Sequence, residues 1–392
     1  MLDVIVAGHI CLDIIPTFGP SAGRGEEGLL LPGRLLEVGA AALSTGGAVS
    51  NTGLALHRLG LATRLVGKVG DDLFGRVILD LLAQHDPGLA QGMIVAAGEV
   101  SSYTVVINPP AVDRIFLHCP GANHTFTADD IPYDLVANAR LFHFGYPPLM
   151  RQMYREGGRY LAEVMRRARE AGATTSLDMA MPDPSGPSGQ VDWREILRAT
   201  LPYTDLFLPS AEELLFMLRR ERFAALAQSP APKPEEVADL AEMALRWGAR
   251  IVALKVGERG LYLRTTDASS LGAMGRAAPA DPDAWGNREL WSPCFVPMPL
   301  VGTTGAGDAT IAGFLAALLR GLGPEEAVTI ACAVGACNVE AADALSGIRT
   351  WEETQARLAA GWPRQGLRLE GPGWRHDPIS GLWHGPRDRL AS

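Results

Sequence analysis

The stretch PLVGTTGAGDATIAGFLAALLRG, residues 299–321, decides the reading of this chain. After Asp308 the apolar residues Ile311, Phe314, Leu315, Leu318 and Leu319 recur at the spacing of one helix face, which predicts an amphipathic helix over 308–320. Gly305-Ala306-Gly307 is therefore a small-residue turn at a helix N-terminus. No large side chain shields its N–H groups, and the helix dipole adds about half a positive charge at that end. Such a turn cradles a phosphate. The plain alternative is a glycine-rich turn followed by an Asp that favours the first helical turn. No Gly-Lys-Ser/Thr follows, so the stretch is not a P-loop, and no third glycine completes a dinucleotide fingerprint.

Outward from this stretch, two periodicities alternate. Short β-rich runs at 4–7, 64–66, 141–144, 174–177, 206–208 and 251–254 are separated by helical patterns at 51–59, 75–83, 154–171, 211–220 and 234–247. Alternation of this kind predicts an α/β fold with a mostly parallel sheet covered on both faces. Residues 10–45 and 98–120 break the rhythm with extended runs and turns, and read as a small antiparallel lid on the α/β body. Residues 265–299, rich in Pro, Gly and Asp, read as a surface insertion, and 351–392, with four of the eight tryptophans, as an extension of unreadable role.

Composition narrows the function. A net charge of −9 on 392 residues argues against a nucleic-acid partner, which needs a basic face. Cys11, Cys119, Cys294, Cys332 and Cys337 are scattered and odd in number, as buried free thiols in a reducing compartment would be, rather than a disulfide framework or zinc site. The opening residues lack a basic region and carry Asp3 and Asp13, so no secretory leader is read there. No apolar run reaches the length of about 18 residues that a membrane helix needs. A cytoplasmic protein is expected.

Asp308 beside the cradle gives the motif its chemical direction. A bound phosphate repels a neighbouring carboxylate, so the pairing makes sense where a proton acceptor is required next to the transferred group. Phosphoryl transfer to a hydroxyl is that case.

With these residues in view, the chain resembles the PfkB-type, ribokinase-like carbohydrate kinases over about residues 3–350. The family's C-terminal signature resembles 303–308, and its N-terminal signature resembles Gly46-Gly47-Ala48-Val49-Ser50-Asn51 with Leu59-Gly60, Gly67 to Asp71 and Gly75 beyond. Its nucleotide strand and turn resemble 252–260, and its late helix 331–338. The resemblance implies a three-layer sandwich with a small β lid, and one kinase domain over 1–350. It implies that Asp308 is the catalytic base, that Gly305, Ala306 and Gly307 form the anion hole, and that Asp13, Gly47 and Asn51 hold sugar hydroxyls. Gly257, Gly260, Thr304 and Asn338 fall at nucleotide positions, and Glu213 at one that orders magnesium indirectly. Other readings of the same residues stand beside these: a helix N-cap for Asn51, a loop residue for Asp13, hairpin geometry for Gly257 and Gly260, a helix-interrupting polar residue for Asn338, and first-turn acids for Glu212 and Glu213. Asp178 and Asp183 follow a strand end where such sheets bind ligands, with a polar loop as the plainer reading. The histidines His9, His57, His118, His124 and His143 are not spaced as a metal set, and Arg114 lies on the lid.

Two departures matter. The family usually has Asp at the position of Gly302, so monovalent-cation activation is in doubt, and its Asn-x-x-Glu appears as Ser210-Ala211-Glu212-Glu213. The expectation is an ATP-dependent, magnesium-using kinase acting on a hydroxyl, primary by preference, of a small sugar or sugar acid. Family substrates include ribose, fructose, a 2-keto-3-deoxy acid, a phosphorylated hexose and nucleosides, and analogy adds a homodimer through the lid. The alternatives are a catalytically silent sugar- or nucleotide-binding regulator on the same fold, and a dehydrogenase, which the missing fingerprint disfavours.

Overall fold

The computed structural model describes residues 1–19, 33, 35–108, 115–227 and 231–389, so Arg114 lies outside the described residues. Its strands are β1 (Leu2–Gly8), β2 (Cys11–Pro16), β3 (Ala41–Gly46), β4 (Thr63–Val66), β5 (Lys68–Gly70), β6 (Ile94–Ala96), β7 (Tyr103–Ile107), β8 (Ile115–Cys119), β9 (Ala139–Gly145), β10 (Thr174–Leu177), β11 (Leu206–Phe207), β12 (Ile251–Lys255), β13 (Leu261–Thr265), β14 (Glu289–Ser292), β15 (Arg375–His376) and β16 (Trp383–His384). The main helices are α1 (Ala48–Arg58), α2 (Arg159–Glu170), α3 (Trp193–Thr200), α4 (Ala211–Leu218), α5 (Pro234–Arg246), α6 (Ala306–Leu319), α7 (Pro324–Asn338) and α8 (Trp351–Ala359).

The central sheet runs β15-β16-β14-β13-β12-β11-β10-β9-β1-β4. Neighbours from β4 to β12 are parallel, and β13, β14, β16 and β15 extend the sheet antiparallel. Strand alternation explains the layers: Val4 and Val6 pack with the cluster containing α1, α6 and α7 residues, while Ile5 and Ala7 pack with that of α2 to α5. Burying both faces accounts for the near-continuous apolar runs of the parallel strands. Chain order reverses beside β1, which has β4 on one side and β9 on the other, and crevices at such points open at the carboxyl ends of the strands.

Three elements differ from the sequence reading. Helix α6 is buried on nearly every side rather than along one stripe. Its second face is small, and a Cβ at Gly313 would lie 3.0 Å from the Ala331 backbone of α7, so close packing replaces solvent there. The lid has the order β3-β2-β7-β8, with β2–β3 and β7–β8 antiparallel but β2–β7 parallel. Each lid segment forms its own antiparallel pair, and the two first strands lie side by side in one direction. Within 265–299, β14 is an interior strand with all four residues buried, and Trp285 is buried 5.9 Å from the Phe314 ring. Polar neighbours conceal this apolar content in the sequence.

The segment beyond Trp351 completes the sheet edge. Trp362 stacks on Phe295 at 4.9 Å, Arg364 lies over the same ring at 4.4 Å and donates to Ser292 Oγ at 2.9 Å, and Arg288 meets Asp388 at 3.0 Å in a buried ion pair. All five cysteines are unpaired, Cys11, Cys332 and Cys337 being buried and Cys119 and Cys294 partly so. Among the described residues no helix is long and apolar enough to cross a membrane.

Candidate active site

Ends of successive parallel strands converge on the N-terminus of α6. Tyr146 follows β9, Asp178 follows β10, Ser210 lies just beyond β11 and Lys255 ends β12, and all four line one cavity of about 530 Å³ with Gly305, Ala306, Gly307 and Asp308. Gly305 caps α6 at φ 74°, a left-handed conformation, and a Cβ there would sit 2.5 Å from that of Ala344. Only glycine suits both demands. The turn points the first N–H groups of α6 at the cavity. The Ala306 amide leans on Thr303 O at 3.3 Å, while those of Gly305 and Gly307 make no hydrogen bond among the described residues.

Asp308 is 3% exposed and collects donors from distant segments. Asn51 Nδ2 donates to Oδ2 at 3.0 Å, Thr52 Oγ1 to Oδ1 at 3.2 Å, and the Tyr146 hydroxyl lies 2.9 Å from Oδ1 and 2.8 Å from Oδ2. Burial pushes its pKa above the usual carboxylate range, against the pull of these hydrogen bonds and of Lys255. A buried carboxylate made more basic but still supplied with donors is suited to take a proton near neutral pH.

Lys255 is the only Lys or Arg among the described residues lining this cavity, beside Asp178, Glu212, Glu213, Glu258 and Asp308. Its ammonium donates to Asp178 Oδ1 at 2.7 Å and Leu208 O at 2.8 Å, and lies 3.9 Å from where a Gly307 Cβ would be. Burial works against its charge, but Asp178, Glu213 and Asp308 outweigh that and hold its pKa above the ordinary value. The ammonium therefore stands, charged, next to the cradle.

Other residues named from the sequence fall into place unevenly. Asn51 lies inside α1, whose cap is Gly47, so it is no N-cap; it joins Asp308 instead. Gly47, at φ 87°, packs against His9. Glu213 and Ser210 line the cavity but also exchange hydrogen bonds in a capping box at 2.7 and 3.1 Å. Among the described residues no three His, Cys, Asp or Glu side chains converge as a metal site. A Cβ at Gly257 would meet open space in the cavity, whereas one at Gly260 would strike Ser292 O at 2.0 Å. Asn338 donates to Ala344 O at 2.7 Å, bracing the loop that Gly305 packs on, while Gly335, Ala336 and Val339 line the cavity wall. Asp183 only caps its own turn.

Asp13 and Thr304 line a second cavity of about 430 Å³ between lid and body, which shares Leu300 and Thr303 with the first. Burial pushes the Asp13 pKa up to about 6, with Cys11 and Thr104 hydrogen bonds opposing. Nearby, His9 and His118 approach at 3.4 Å, Thr104 bonds His118 at 3.0 Å, and burial lowers both histidine pKa values. Sequence spacing gave no sign of this pair, nor of Thr52, Tyr146 and Lys255 around Asp308. Only Asp178, at a strand end, carried a signal. A Cβ at Gly302 would lie 3.1 Å from Ala341 O and 3.3 Å from Ala342 O, so carbonyl oxygens crowd this position where the family has a carboxylate.

A turn of helix amides, a buried carboxylate and an ammonium lie together at the carboxyl edge of the parallel strands. Residues 3–351 match the model of the pfkB family carbohydrate kinases, and the chain belongs to that family. It is 26% identical over 286 residues to an uncharacterized sugar kinase of Archaeoglobus fulgidus, covering 73% of this chain and 94% of that one. To the 2-dehydro-3-deoxygluconokinase of Bacillus subtilis it is 26% identical over 300 residues, covering 75% and 80%. In fold it is similar to the ribokinase of Arabidopsis thaliana complexed with ribose and ATP, with a TM-score of 0.66, 19% identity, and coverage of 91% and 98%. The fold is thus ribokinase-like, and the chain is a carbohydrate kinase, a phosphotransferase with an alcohol acceptor.

Proposed function

We propose that the protein transfers the γ-phosphoryl group of ATP to a primary hydroxyl of a small sugar or sugar acid, with Asp308 as base. The observation that carries this is the contiguity of Asp308 with the Gly305 and Gly307 amides, which make no hydrogen bond among the described residues, at one end of the larger cavity. In this reading the amides and Lys255 stabilise charge on the moving phosphoryl group, and Asp308 accepts the alcohol proton. Glu213, which lines the cavity, would hold a magnesium ion carried by the nucleotide, and that ion would supply further neutralisation of the phosphate oxygens. The nucleoside end lies along Gly257 and the Gly335–Val339 wall, where Gln365 of the C-terminal extension also reaches the cavity. Asp13, with the buried and unpartnered Asn51 Oδ1, receives sugar hydroxyls from the lid side. Lid closure then excludes water. Sugar-dependent ADP release over D-ribose, D-fructose and 2-dehydro-3-deoxy-D-gluconate tests this. Turnover with one of them supports the kinase; nucleotide or sugar binding without turnover on any of them favours the silent regulator.

Asp13 gives the reading a pH signature. Its ionised form accepts hydroxyl protons, so sugar KM should rise as pH falls through about 6, approaching tenfold per unit below it. Asp13→Asn should raise that KM about 10- to 100-fold and remove this limb, the size of a hydrogen bond to a charged group. Sugar KM measured from pH 5 to 8 in both proteins checks the outcome, and a wild-type KM flat across pH 6 removes Asp13 from the sugar site.

A cytoplasmic homodimer through the lid belongs to the same proposal. Among the described residues strand β8 lies at the end of the lid sheet, with Ile115, Phe116 and Leu117 exposed, Phe116 by 54%. Sedimentation should show a dimer at micromolar concentration, weakened at least about tenfold by Phe116→Glu. A wild-type monomer refutes it.

A further inference from the structure

Three side chains already donate to Asp308, and one of them covers the edge between its two oxygens. A carboxylate offers about four lone-pair sites. Asn51 and Thr52 donate one proton each, at 3.0 and 3.2 Å, and the Tyr146 hydroxyl, 2.9 and 2.8 Å from the two oxygens, has a single proton to share between them while its oxygen stands across the edge of the carboxylate. An alcohol that is to deliver its proton at that edge must displace the phenol. Asn51 and Thr52 are fixed in the first turns of α1, buried against β1 and β4. Tyr146 comes from the loop after β9 and lines the cavity that Asp308 faces. Its backbone is left-handed, φ 67° and ψ 42°, an unusual conformation for a tyrosine and one that a loop beside a site can release. Burial and the neighbouring Asp308 raise its pKa, so the phenol remains a donor at neutral pH.

We propose that Tyr146 is a placeholder for the acceptor alcohol: its phenol fills the proton-accepting edge of Asp308 until a sugar hydroxyl displaces it, and water is thereby kept from the base. This rests on the kinase reading above. The suppressed reaction is hydrolysis, in which a water oxygen bonds to the γ-phosphorus, the bond to the bridging oxygen of ADP breaks, and the water proton passes to Asp308. Without the phenol, water gains the base, and a sugar no longer competes with a resident donor.

The test is ATP hydrolysis with Mg2+ and no sugar, in the full chain and its Tyr146→Phe, Asp308→Asn and double variants. Tyr146→Asn is the second variant, since Asn tolerates left-handed backbone and is too short to replace the phenol. Both Tyr146 variants should hydrolyse ATP about tenfold faster than wild type, the worth of one hydrogen bond of ordinary strength. The gain should vanish in the Asp308→Asn background. Sugar KM in Tyr146→Phe should fall, where a merely structural tyrosine would leave it unchanged or raise it. If wild type phosphorylates a sugar of the panel but neither Tyr146 variant hydrolyses ATP faster, the placeholder is wrong and the kinase reading stands. If no sugar is phosphorylated and Asp308→Asn leaves hydrolysis unchanged in every background, both are wrong.

Discussion

Purified Asp308→Asn protein should turn over sugar about 100- to 10,000-fold more slowly than wild type, the usual contribution of a positioned general base. The substitution keeps size and shape and removes only the proton-accepting function. Stability should move the other way. Burial raises the Asp308 pKa in the folded chain above its unfolded value, so its ionisation at neutral pH opposes folding. That penalty is absent below the unfolded pKa and grows as pH rises. Asp308→Asn should therefore melt at or above the wild-type temperature at pH 7 to 8, and the wild-type advantage should return only in acid. The acid limb of wild-type kcat against pH should disappear in the variant's residual rate. ADP release paired with thermal denaturation decides the matter: near-normal turnover removes Asp308 as base, and a large loss of Tm means that the rate reports misfolding.

Lys255→Met should show the second large effect, a fall in kcat of about 100- to 1,000-fold with a smaller rise in KM for ATP. Removing a preorganised donor from a developing oxyanion costs this much. The charge arithmetic of the cavity gives the reason. Five carboxylates line it and Lys255 is the only Lys or Arg among the described residues that does, so a triphosphate meets one fixed positive charge beside the Gly307 turn. Stability should also fall, because Asp178 is 1% exposed and loses the 2.7 Å contact that compensates its burial. Breaking a buried pair from one side costs about 3–5 kcal/mol. Lys255→Met/Asp178→Asn should recover much of that stability in urea titrations and none of the lost kcat. Recovery of kcat in the double variant would show that Lys255 serves only to neutralise Asp178.

Legibility from sequence followed the range of the interactions. Within 299–321 the turn, the helix and the Asp are neighbours, and a helix N-terminus is a local property of the backbone, so the glycine turn and the start of α6 could be read directly. Strand and helix patterns were equally local, and their expected bounds lie close to those observed, as at α5, expected over 234–247 and found as Pro234–Arg246. Asn51 shows the limit. From spacing it could cap a helix or face a ligand, and what decides is a contact 257 residues away. Tyr146 is 162 residues from Asp308, and nothing near it in the chain pointed to that contact. Asn338 falls at a nucleotide position by resemblance, and that its amide also holds the carbonyl of Ala344 is visible only in the fold. β14 was hidden because its composition is diluted by the Pro and Gly around it, and only its pairing with β13 and β16 makes it an interior strand.

The alternation of strands and helices, the glycine turn before α6 and the carboxylate beside it were set by residues near one another along the chain, because helix ends and hydrophobic periods are properties of short segments. Which side chains surround that carboxylate, how much its burial raises its pKa, and which cation faces the cradle were decided only when β9, β10 and β12 brought Tyr146, Asp178 and Lys255 to one edge of the sheet. Hydrogen bonds and desolvation act across a few ångströms of space, and the order of strands in the sheet determines which distant residues come within them.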